Sequence, residues 1–193
     1  MKALHLVARE AFLSESWYAL HVRSRFERHV RKNLELKGCE TFVPTYEPIR
    51  RWSGPVKPLA LPLFPNYVFC RLDLNSRLPV LMTPGVNFIV GAGKNPVPAD
   101  MEEIAAVRHV AASGLNVRPH PYVNAGEVAR IKAGPLEGLT GIVLRAKGCD
   151  RLIVSISILM RSVGVEISRD WVESIEPSLK ETSVLRSAQI ATS

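Results

Sequence analysis

The spacing of hydrophobic positions changes character near residue 122. Residues 17–22 are aromatic and branched, which predicts a strand. Phe26, Val30 and Leu34 then recur every four positions until Gly38, so a helix is expected over 25–37. Ser24 and Glu27 read as a capping box, each side chain satisfying a free N–H at the helix start. Strands are expected over 40–47 and 65–72, with a polar, Pro-rich loop over 50–61 between them. In the second strand Tyr67, Phe69 and Arg71 share one face, and Val68, Cys70 and Leu72 the other. Residues 76–82 suggest a short helix stopped by Pro84 and Gly85, 87–90 a short strand, and 91–98 a turn. A helix over 100–113 carries Ile104, Val107 and Ala111 on its inner face. This order predicts an antiparallel sheet with helices packed on it.

From Gly126 onward only short strands remain, near 127–132, 140–147, 151–159, 163–168 and 171–175. Five such strands in so short a stretch fit a small barrel. The fold class is α+β. The expected division is an N-terminal extension (1–16), a first domain (17–113), a Gly- and Pro-containing linker (114–123), the barrel domain (124–176) and a polar, disordered tail (177–193).

Charge adds a location to this picture. The 193-residue chain carries a formal +7, and residues 23–57 hold nine Lys/Arg against four Glu. This basic stretch includes the first helix, where Arg25, Arg28 and Lys32 lie opposite the apolar stripe, with Arg31, Arg50 and Arg51 extending the patch. A polyanionic partner would suit it, and a solvated helix face is the plain alternative. Cys39, Cys70 and Cys149 form no C-x-x-C pair, so each is expected to act as a small apolar residue in a reducing compartment. No stretch approaches the ~18 apolar residues of a membrane span. The expected location is the cytoplasm, with no membrane partner. The five histidines are scattered, and there is no phosphate-binding loop, nucleophile elbow or zinc-protease motif. No enzyme, metal or cofactor is expected.

Three motifs occur in order: Trp17-Tyr18-Ala19-Leu20 before the basic helix, Pro62-Leu63-Phe64-Pro65-Asn66-Tyr67-Val68-Phe69, and Gly126-Glu127-Val128-Ala129-Arg130-Ile131 leading to Gly134-Pro135-Leu136-Glu137-Gly138-Leu139-Thr140-Gly141. Together they resemble the NusG family of transcription elongation factors, whose NGN domain precedes a KOW domain with an SH3-like barrel. Asn66 and the segments Ser113-Gly114-Leu115 and Pro119-His120-Pro121-Tyr122 look most like the specialised UpxY and RfaH-like antiterminators.

The resemblance implies that Phe64, Pro65, Tyr67 and Phe69, with His21 and Phe88, bind the β′ clamp helices of RNA polymerase; plain core packing is the alternative reading for some of Phe64, Tyr67 and Phe69. It assigns Arg23, Arg25, Arg28 and Lys32 to non-template DNA or nascent RNA. It assigns Leu136, at a turn where a large apolar side chain needs a partner, to ribosomal protein S10 or Rho. The implied function is a monomeric factor that suppresses pausing and termination on selected operons. Two alternatives stand beside it: a general NusG assisting Rho, and a ribosomal, rRNA-binding KOW protein.

Overall fold

The computed structural model describes residues 15–48, 60–145 and 150–174. The expected extension up to residue 14, most of the loop, the tail, and Arg50, Arg51 and Cys149 lie outside the described residues.

β1 (Ser16–Val22) is the spine of the first unit. It pairs antiparallel with β5 (Tyr67–Leu72) on one side and β6 (Val86–Ile89) on the other. β2 (Thr41–Phe42) adds an edge, giving the order β2-β5-β1-β6. The expected strand over 40–47 is broken at Val43 and Pro44. Its second half, β3 (Thr45–Tyr46), pairs instead with β4 (Leu61–Pro62) in a separate two-stranded ribbon. Proline has no N–H to donate, so the ladder cannot run through it unbroken.

The pleat divides the sheet residues between two cores. Tyr18, Leu20, Val22, Val68, Cys70 and Leu72 pack with Val30 and Leu34 of α1 (Glu27–Leu36). Trp17, Ala19 and Phe69 pack on the other face with Ile104, Val107 and Val110 of α3 (Met101–Ala112). Between these helices lie the short α2 (Leu78–Leu81) and the ribbon of β7 (Gly91–Ala92) and β8 (Asn95–Pro96). Asp100 caps α3 by accepting hydrogen bonds from the Glu102 and Glu103 amides, at 2.7 and 3.3 Å.

The capping box expected at α1 does not form. The N-cap is Phe26, without a side-chain cap. Arg25, between Ser24 and the helix, sits at φ 65° in the left-handed region. Glu27 is nearly buried and accepts a hydrogen bond from the Asn66 amide at 2.9 Å. The acid thus ties the helix to a distant loop.

The second unit is a six-stranded antiparallel sheet. Its strands are β9 (Val117–Pro121), β10 (Glu127–Ile131), β11 (Thr140–Arg145), β12 (Asp150–Ile156), β13 (Arg161–Ile167) and β14 (Val172–Ser174). All five expected strands are present. The sixth, β9, comes from the stretch read as a linker and pairs with β13 from Arg161↔Pro121 to Val165↔Val117. Its prolines are tolerated because β9 is an edge strand. Gly141 allows close strand approach: a Cβ there would stand 2.8 Å from the Ile153 carbonyl oxygen.

The two units share one continuous apolar core. Ile104, Val107 and Val110 of α3 belong to the same cluster as Ile131, Leu136, Leu152 and Ile156 of the barrel. Polar contacts line its margin. Glu103 accepts from the Ser157 amide (3.0 Å) and hydroxyl (2.5 Å), and His109 Nε2 lies 2.9 Å from the Pro135 carbonyl oxygen.

Candidate interaction site

The aromatic segment expected to bind a partner is split by the fold. Phe64 and Phe69 are core residues, 1% and 0% exposed, in edge-to-face contact at 5.7 Å. Pro65 is exposed and Tyr67 half-buried. Between them Asn66 holds φ 70°, a left-handed conformation that asparagine tolerates better than most residues. Its carbonyl accepts from the Val22 amide at 2.8 Å, while its own amide is held by Glu27. The tip of the segment is therefore clamped from β1 and from α1.

Tyr67 does not stand alone. Strand register places His21 opposite Tyr67 on one side and opposite Phe88 on the other. The His21 ring stacks on Phe88 at 4.7 Å with an interplanar angle of 11°, and meets Tyr67 edge-on at 5.5 Å. Asn87 Nδ2 lies 3.0 Å from His21 Nδ1 and fixes the ring. Phe88 remains 51% exposed. The result is a row of three rings across three strands, all of them at least partly exposed, with exposed Pro65 near its end. Such amphipathic rings on a rigid sheet suit protein binding, because little side-chain entropy is lost on contact. The barrel reaches this row as well: the Arg161 guanidinium stands over the Tyr67 ring at 5.8 Å.

Leu136 is completely buried, within the cluster that joins α3 to the barrel. The turn that carries it is closed by bonds from the Gly138 amide to the Ile131 carbonyl and from the Glu137 amide to the Gly134 carbonyl. The apolar partner that this turn needs is thus supplied within the chain.

The basic residues expected to meet nucleic acid, Arg23, Arg25, Arg28 and Lys32, are all exposed. Arg28 and Lys32 line an open groove of about 380 Å³ with Arg31, Val43, Thr45 and Ala60. Arg28 donates to the neutral Ala60 carbonyl at 2.8 Å. Arg23 lies over the Phe26 ring at 5.0 Å. Arg31 differs, because it pairs with Glu35 at 2.7 Å. Glu35 also accepts from Thr41, and these contacts, led by the Arg31 hydrogen bond, hold its carboxyl below the usual range. Among the described residues no cluster of three or more His, Cys, Asp or Glu could hold a metal, and no helix is long and apolar enough to cross a membrane.

Three comparisons bear on this geometry. A family model described as "Transcription termination factor nusG" matches residues 15–108. The "Transcription termination/antitermination protein NusG" of Pseudomonas aeruginosa is 31% identical over 177 residues, covering 84% of this chain and all of that protein. The chain belongs to the NusG family. The NusG of Staphylococcus carnosus is 30% identical over 179 residues, covering 84% of this chain and 97% of its own. A solved structure described as "Domain interaction in Thermotoga maritima NusG" matches with a TM-score of 0.53 at 23% identity, over 85% of this chain and 99% of that one. The α+β fold, a helix-flanked sheet domain followed by a small barrel, is therefore that of NusG proteins. At 84% of this chain, the alignments to these curated relatives extend across both units.

Proposed function

We propose that the chain binds RNA polymerase through the His21–Tyr67–Phe88 row and Pro65, and suppresses pausing and termination by favouring the elongating conformation. The observation that carries this is the row itself, partly exposed and set across three paired strands. Phe64 and Phe69 are buried in the core and do not form that surface. The intended docking site is the coiled-coil clamp of the polymerase β′ subunit. A factor of this kind performs no chemistry; it acts by binding one polymerase state more tightly than another. Arg23, Arg25, Arg28 and Lys32 follow the non-template strand or nascent RNA through phosphate contacts. Purified polymerase, with and without the protein, in a pause and termination assay tests the proposal. Unchanged elongation together with no detectable polymerase binding would sink it.

Leu136 is the proposed contact for ribosomal protein S10 or Rho. Leu136 is fully buried, so it must be uncovered before it can reach either. Action on selected operons is supported by Asn66 and by the segments over 113–122. The second reading, a general factor assisting Rho, is supported by the similarity to NusG proteins of Pseudomonas and Staphylococcus. Genome-wide occupancy separates the two: presence on most transcribed genes favours the general factor, and presence on a few operons favours the specialised one.

A further inference from the structure

Cys39 and Cys70 stand 31 positions apart with no motif between them, yet the fold brings them together. Register pairs Thr41 with Cys70, and the Arg71 amide donates to the Glu40 carbonyl at 2.9 Å, so the strand alignment continues toward Cys39. Cys39 lies two positions before Thr41 and thus projects to the same face as Cys70. Both pack in the cluster beneath α1. They differ in access. Cys70 is fully buried, whereas Cys39 is half-exposed and lines a cleft of about 470 Å³ with Lys37, Asp73 and Pro79. Burial, and next the neighbouring Cys39, push the Cys70 thiol up.

We propose that Cys39 and Cys70 form a redox-sensitive dithiol that a peroxide closes to a disulfide, with Cys39 attacked first and Cys70 resolving. The Cys39 sulfur attacks a peroxide oxygen and the O–O bond breaks. Cys39 becomes the sulfenic acid, and the displaced oxygen leaves as water with the thiol proton. The Cys70 sulfur then attacks the Cys39 sulfur. The S–O bond breaks, the S–S bond forms, and the Cys70 proton leaves with the second water. Two thiols are oxidised by two electrons and one peroxide is reduced to two waters. The order follows from access: Cys39 opens to the cleft, while Cys70 is buried behind it. The disulfide fastens the edge strand β2, which has only two paired positions on β5. It also closes a covalent loop containing the Phe64–Tyr67 segment.

The test treats the full chain, carrying Cys149→Ser, with hydrogen peroxide and maps peptides without reduction. The expected product is a linked pair of peptides containing Cys39 and Cys70, lighter by two hydrogens and separated by dithiothreitol. Cys70→Ser should instead trap the sulfenic acid on Cys39, detectable with dimedone. Closing a loop of this length should raise Tm by roughly 5–10 °C, reversibly. Over-oxidation of Cys39 with a free Cys70 thiol, or two unreacted thiols at a dose that oxidises exposed methionines, would overturn the proposal.

Discussion

Phe64 and Phe88 come from the same expected contact set, and the fold gives them opposite duties. Phe64 is 1% exposed and buttressed edge-on by Phe69; Phe88 is 51% exposed and stacked on His21. An aromatic motif therefore marks where a surface is built without saying which rings form it. The difference is set by position relative to the sheet. Phe69 points into the layer beneath α3, where the apolar cluster fills every side. The His21–Tyr67–Phe88 row lies along the same sheet, with Arg161 of the barrel over the Tyr67 ring and Phe88 open to solvent. Buried rings contribute to folding; exposed rings are free to contribute to binding.

The largest expected effect separates these duties directly. Phe64→Ala should cost about 3–5 kcal/mol of stability by leaving a cavity in the shared core. Chemical denaturation measures it. Phe88→Ala should change stability by less than about 1 kcal/mol, since the ring is half in solvent. It should instead weaken polymerase binding by roughly tenfold or more, as an anchor residue does. A stability loss of equal size for both variants would erase the distinction between support and surface.

Glu27 extends the comparison to the loop that joins the two groups. It accepts from the Asn66 amide from within α1 and is 7% exposed. Glu27→Ala should cost about 2 kcal/mol, the usual loss for a hydrogen bond to a charged group whose partner is left unsatisfied. The same variant should loosen Pro65 and Tyr67 and so lower polymerase affinity along with stability. Such a joint loss would place Glu27 between Phe64 and Phe88. A pure stability loss would show that the row holds its shape without the clamp.

The docking of the barrel supplies a weaker lever. Glu103→Ala removes both hydrogen bonds to Ser157 and leaves the apolar cluster intact, so docking should weaken by about 1–2 kcal/mol. Hydrogen exchange over residues 135–139 should accelerate several-fold while β12 stays protected. If Leu136 is buried by its own barrel alone, exchange there will not respond.

How much of this was legible in the sequence depends on the kind of signal. Alternating strands and the 3.6-residue stripe of α1 were readable because burial imposes a period on the chain. Phe26, Val30 and Leu34 face the sheet as that period requires. Ser24 and Glu27 had the spacing of a cap, but Asn66, 39 positions away, competed for the acid and won. The strand over 117–121 was hidden by its prolines, which an edge strand accommodates. Phe64 could not be separated from Phe88 by residue type, since both are large and apolar. The Cys39–Cys70 pairing depends on strand register, which no local motif encodes.

The smallest effect concerns two arginines of one helix. Arg28 donates to a neutral carbonyl, whereas Arg31 is paired with Glu35. For a nucleic-acid surface, Arg28→Ala should reduce the salt dependence of binding by about one counterion, and Arg31→Ala by less, because its charge is already offset. The Arg31–Glu35 pair has its own signature in acid. Glu35 has a folded-state carboxyl held below its ordinary value, so its stabilisation is present above the unfolded-state pKa. It is lost as pH falls through the lowered folded-state value. Both side chains are exposed and screened, which keeps the contribution small. Wild type and Glu35→Gln should thus differ by about a degree in Tm at neutral pH. The difference should vanish at a pH below both pKa values. A gap that persisted there would mean that Glu35 does not act through its charge. Arg31 would then count with Arg28 on the binding surface.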